Sequence, residues 1–225
     1  MRIGPLITLL SSTYGLPEAG ITLVARALRE AGWLSTGARG VNAPEMAARD
    51  VARMTLALLS GEPPSKVVDE FAFLRGLQTD DMFPPDGFLS QDRVPVDHTL
   101  EDVITALFAV SFDEAHMQRF VLDDLFGGHF WPSFSVSVDS SRRTAEVHVP
   151  GLTAEYSDRK GQDELGALYA ARITTLDQLE RVKALEARAV TPGSRKVVAN
   201  RGMRVVRTIS EVEFQQIANA MRGPS

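Results

Sequence analysis

The chain reads as an α+β fold dominated by helix. Three observations predict this. Apolar residues recur at three- and four-residue spacing through most of the sequence, the pattern of a helix with one buried face. One stretch, residues 131–150, switches to alternation, the pattern of half-buried strands joined in a hairpin. Hydrophobic residues make up 44% of the 225 positions, enough to bury a core and too many for a disordered chain.

The opening MRIGPLITLLSS lacks the long apolar region and small-residue cleavage site of a leader, and reads as mature sequence. The first predicted helix runs from Pro17 to Gly32. Pro17 suits a first turn and Gly32 a stop, and Ile21, Val24, Ala25 and Leu28 share one apolar face. The turn WLSTGARGVNAP, Trp33 to Pro44, follows; Gly37 and Gly40 give it backbone freedom. Pro44 then opens a helix to about Ser60, with Met46, Ala47, Val51, Met54 and Leu58 repeating inward. Arg49 and Arg53, one turn apart, share an exposed face.

Glu62-Pro63-Pro64 breaks the chain, and Ser65 is placed to cap a short helix reaching about Leu77. Residues 79–98 hold Pro84, Pro85 and Pro95 with five aspartates and read as an acidic loop or solvated linker. The aspartate spacing does not match a calcium-binding loop. Thr99 and Asp102 form a capping box that opens a helix reaching Phe126, with a bend near Ser111-Phe112-Asp113. A helix of that length spans about 42 Å, more than a small core covers, which suits a bundle, a subunit interface or burial within one large domain.

Phe134, Val136 and Val138 alternate with serines, Asp139-Ser140-Ser141 is turn-like, and Val147 and Val149 resume the alternation. Helix returns over Gln162–Ala189, with a break at Thr174-Thr175. Residues 197–209 contain a strand centred on Arg204–Arg207. Ser210 and Glu213 form a second capping box, and Phe214, Ile217 and Met221 face inward in the last helix. The resulting organisation is a helical domain over residues 1–78, the acidic loop 79–98, and an α+β domain over 99–225.

Composition excludes several classes. Without cysteine there are no disulfides and no thiolate metal sites, and no apolar run is long enough to cross a membrane. The sequence holds no nucleophile elbow, phosphate-binding glycine loop or dinucleotide fingerprint. Glu114, His116, Asp123, Asp124 and His129 lie close in sequence but lack zinc-site spacing. The expectation is a protein without catalysis, metal or cofactor. The net charge of −5 is unevenly spread: +2 over Met1–Ser60, −10 over Gly61–Phe130 and +3 over Trp131–Ser225. An anionic partner would meet the ends and avoid the middle.

Two basic features stand out. Arg39 and Asn42 lie in the glycine turn, followed by Arg49 and Arg53. Residues 194–207, SRKVVANRGMRVVR, carry Arg195, Lys196, Arg201, Arg204 and Arg207 with no acid. Both sets suit phosphate contacts. Both also have plain structural readings, a helical hairpin connection and an edge strand protected by positive charge.

The run LVARALREAGWLSTGARGVNAPEMAARDVARMTLALL resembles N-terminal segments of bacteriophage and prophage proteins. The outline of the whole chain is similar to that of small terminase subunits. The resemblance implies a DNA-binding, helix-turn-helix-like N-terminal domain in a self-assembling DNA-packaging protein in the bacterial cytoplasm. It implies double-stranded DNA, further copies of the chain and other phage proteins as partners, with no membrane. Arg39, Asn42, Arg49 and Arg53 would then face DNA, and Thr99–Phe126 would build a ring. The turn is longer than that of the usual motif, and the C-terminal half carries an extra helix and strand. Two other readings stand beside it: a phage structural or adaptor protein working through protein contacts, and a transcription regulator.

Overall fold

In the computed structural model, residues 1–37, 44–120, 122–123, 129–130, 132–139, 142–170, 175–189 and 206–222 are described. Helix α1, Ile3–Tyr14, seats Leu6 and Leu10, one turn apart, in the core. Helix α2, Glu18–Glu30, buries the expected Ile21, Val24, Ala25 and Leu28, and Gly32 follows it at φ 78°. Helix α3, Ala48–Ser60, begins four residues beyond Pro44. Its burial is nearly all round, because it packs against α2 on one side and later elements on the others. Helix α4, Val67–Leu74, has Lys66 at its N-cap and no side-chain cap, so Ser65 does not cap it.

The acidic loop differs from the solvated linker expected of it. Phe83, Phe88, Leu89, Val94 and His98 are buried, and Gln78 pairs through its backbone with Ser157. The prolines and aspartates keep this segment out of regular structure, while the apolar residues between them still reach the core.

Helix α5, Leu100–Ser111, is opened by the Thr99–Asp102 capping box as expected. It does not continue to Phe126. The Asp113 side chain turns back to accept the His116 N–H at 3.0 Å and starts a new short helix, α6, Glu114–Gln118. Residues Leu122–Asp123 (β1) then pair with His129–Phe130 (β2). At 12 residues α5 is about 18 Å long, and its own chain encloses most of its surface. The long helix expected over Thr99–Phe126 from its cap and apolar repeat, to which the resemblance gave the ring-building role, is therefore corrected to two short helices and a strand pair.

The hairpin forms as predicted from β3, Ser135–Asp139, and β4, Thr144–Val149. Two further strands flank it, β5, Leu152–Tyr156, and β6, Val206–Ser210, giving the antiparallel order β5-β4-β3-β6. Pro150-Gly151 joins β4 to β5, with Gly151 at φ 83°, the backbone that glycine supplies at the second central position of a type II turn. Val136 faces Val147 on one side and Ile209 on the other, so one sheet face is apolar and buried. The remaining helices among the described residues are α7, Arg159–Ala170, α8, Leu176–Ala189, and α9, Glu211–Arg222. Phe214 of α9 packs its ring 4.5 Å from Phe108 of α5 and 5.2 Å from Phe134, between helices and sheet. One cluster of buried side chains runs from Leu6 to Ile217 and includes residues on both sides of the acidic loop. The observed class is α+β, helix-dominated, with a small antiparallel sheet.

Candidate binding surfaces

The first polar centre is built around Glu101, in the first turn of α5, where the helix dipole favours a carboxylate. Glu101 is 1% exposed. Arg53 donates to it at 2.7 Å, Arg75 donates to its other oxygen, and Arg49 approaches at 3.4 Å. Arg53 also donates to the Trp33 carbonyl at 2.7 Å, and the guanidinium of Arg75 lies 4.5 Å from the Trp33 ring centre. Arg49 reaches Asp102 at 3.3 Å. The face expected to expose both arginines exposes Arg49, at 55%, but turns Arg53 inward, at 17%. A buried carboxylate draws guanidinium groups to itself because each must otherwise shed water without a partner.

A second buried carboxylate, Asp50, closes the stretch that contains the glycine turn. It accepts the Ser35 N–H and hydroxyl and the Ala47 N–H, each at 2.9 Å. The two ends of residues 35–47 are thus tied to one side chain. Arg39, Asn42 and Gly40 lie outside the described residues. Gly37 is not among the glycines at positive φ; its lack of a side chain matters because a Cβ there would meet the Pro44 ring at 3.1 Å.

Of the second basic run, Arg195, Lys196, Arg201 and Arg204 lie outside the described residues. Arg207 of β6 is placed. Its guanidinium rests on Gly61, the left-handed residue that ends α3, and donates to the Ser60 carbonyl at 3.4 Å. A cation there complements the carbonyl end of the helix.

Arg207 also lines an apolar groove of about 500 Å³. Leu16, Pro17, Ile21, Val24, Ala57 and Leu58 form its walls, and Tyr14 stands at its lining with its hydroxyl 3.1 Å from that of Thr55. Burial pushes the Tyr14 hydroxyl pKa well up, so it stays protonated. Glu62 lines the groove too. This volume and lining match the usual form of a binding site, concave and apolar with a few polar groups.

Two histidines pin the acidic loop. His98 donates from Nδ1 to the Pro95 carbonyl at 2.9 Å, which leaves Nε2 to accept from the Tyr156 hydroxyl at 2.7 Å. Burial, with Asp81 and Asp102 nearby, raises the Tyr156 pKa and keeps that donor protonated. His116 donates from Nε2 to the Phe88 carbonyl at 2.8 Å. Both imidazoles are held by structural bonds, and no group of three metal-ligating side chains occurs among the described residues. No helix among them is long and apolar enough to cross a membrane.

Asp50 and Glu101 were missed in the sequence because an acid inside an amphipathic helix usually faces water. The one local signal for Asp50 was its position three residues past the start of an apolar repeat, where carboxylates cap. Family models, curated proteins and solved structures provide no match to the chain.

Proposed function

We propose that the protein acts by binding rather than by chemistry, through protein–protein contacts, as an assembly or adaptor protein of the phage type that its N-terminal segment resembles. The observation that supports this reading is the apolar groove beside Arg207, a surface suited to apolar side chains and not to a phosphate backbone. The pairing of Arg49 and Arg53 with Glu101 points the same way, since phosphate contact would compete with a buried carboxylate.

The experiment is a titration of labelled duplex DNA with the protein over a range of salt. The expected outcome is no saturable binding at physiological salt. DNA binding is the second reading, favoured by the exposure of Arg49 and by the acid-free run Arg195–Arg207. It predicts saturable binding with a steep salt slope, reduced by about 0.9 for each phosphate-contacting arginine replaced by alanine. That result would replace the protein-contact reading.

A further inference from the structure

The acidic loop carries an apolar knob. Met82 and Val96, from its two ends, line one small hollow together with Phe83 and Pro95. They are 60% and 64% exposed, the most exposed large apolar side chains among the described residues. Side by side they offer apolar surface that a partner's apolar pocket would remove from water. The knob is held in place from beneath. Phe83 and Val94 are buried, and His98 grips the Pro95 carbonyl. A pre-organised knob loses little freedom on docking. Asp81 and Asp97 flank it, and Asp97 makes no side-chain bond among the described residues.

The groove offers apolar walls and a cation to match the apolar side chains and the carboxylate of this knob. It is apolar, and Arg207 lies at the end formed by Gly61 and Glu62, with the Ser60 carbonyl as its sole partner among the described residues. The two features sit at opposite edges of the sheet. Asp81 accepts the Glu155 N–H of β5, while Arg207 and Thr208 belong to β6. Three strand spacings, about 14 Å, separate those edges, and the loop is tied down at Gln78 and His98. The knob cannot fill the groove of its own chain.

We propose that the groove receives a second copy of this chain, with the Met82–Val96 knob of one copy seated between α1, α2 and α3 of the next and Asp97 meeting Arg207. The contact is heterologous, head to tail, so it generates a closed ring or an open filament rather than a two-fold dimer. The inference rests on the reading that the chain works through protein contacts and names the partner.

Sedimentation velocity on the full chain tests it, over about 1 to 100 μM. Two variants disable the two halves separately. Met82→Ser with Val96→Ser removes the knob, at positions exposed enough to leave folding intact. Gly20→Trp fills the groove; a Cβ at Gly20 meets nothing within 4 Å, and a non-glycine residue favours the helix. The wild type is expected to assemble beyond a dimer, and each variant to weaken assembly by about tenfold or more, as for loss of an interface anchor. An equimolar mixture of the two variants is expected to form a dimer and stop there. One variant keeps a groove and the other a knob, so a single productive contact remains.

A wild type that stays monomeric overturns the proposal. So does assembly that ignores both variants, which would leave the protein-contact function standing through another face. A mixture that fails to dimerise, with both variants folded by circular dichroism, also overturns it. Salt-dependent DNA binding bears on the functional reading alone and leaves this test unchanged.

Discussion

Replacing Glu101 with glutamine is the sharpest test of how this fold is held together. The change keeps the shape of the side chain and removes its charge. In the folded chain Glu101 is 1% exposed and receives Arg53 at 2.7 Å, Arg75, and Arg49 at 3.4 Å. Glutamine keeps one acceptor oxygen and turns an N–H₂ donor toward cations that need acceptors. Breaking a buried pair by neutralising one partner costs about 3–5 kcal/mol. The Trp33 carbonyl still serves Arg53 and the Trp33 ring still faces Arg75, so the expected loss lies at the lower end, about 3 kcal/mol. Arg49 adds little, because it is half exposed and screened. For a chain of this size that loss lowers Tm by roughly 6–12 °C. Urea unfolding should show a lower midpoint with an unchanged slope. A cycle with Arg53→Met should give a coupling of about 1–3 kcal/mol between the two positions. A loss under about 0.5 kcal/mol for Glu101→Gln would show that this array behaves as a surface salt bridge, and the reasoning would be wrong.

Asp50→Ala leaves the Ser35 and Ala47 donors without their acceptor, and is expected to cost about 1–3 kcal/mol and to raise amide exchange at both ends of residues 35–47. Glu213→Gln weakens the second capping box, and its cost should depend on pH. Burial raises the Glu213 pKa, but hydrogen bonds from the Ser210 hydroxyl and from backbone N–H groups outweigh burial and hold it below the usual glutamate range. A depressed carboxylate stabilises the fold above its unfolded pKa and ceases to do so as pH falls through the folded one. The stability gap between wild type and Glu213→Gln should therefore be full at neutral pH and close in acid; a gap that widens on acidification would contradict the assignment. Gly61→Val sets a branched side chain at φ 67° and drives its Cβ into the Arg207 guanidinium, so thermal melting should show a clear loss, larger than for the same change at Gly20.

Much of the architecture was legible because it rests on local interactions. The α2 stripe Ile21, Val24, Ala25 and Leu28 is buried as the spacing required. The boxes Thr99–Asp102 and Ser210–Glu213 open the helices they were expected to open, since donor and acceptor lie three residues apart. The hairpin of β3 and β4 follows from alternation alone. Strand β5 lies beyond the alternation expected over residues 131–150, yet its signals are local too: Pro150-Gly151 is a turn signal, and Leu152, Ala154 and Tyr156 alternate after it. The long helix failed for a local reason, because Asp113 can cap a new helix as readily as it can sit inside an old one.

The sites were decided by tertiary structure. Arg53 finds Glu101 at a separation of 48 residues, and Arg207 finds the Ser60 carbonyl at a separation of 147. Periodicity places an arginine on a helix face but carries no information about which charge packs against that face. A charge takes the partner that the fold brings within a few ångströms, and that juxtaposition is created by burial of apolar surface. The same burial drew Phe83, Phe88 and Val94 of an acidic, proline-rich segment into the core and left Met82 and Val96 standing outside it.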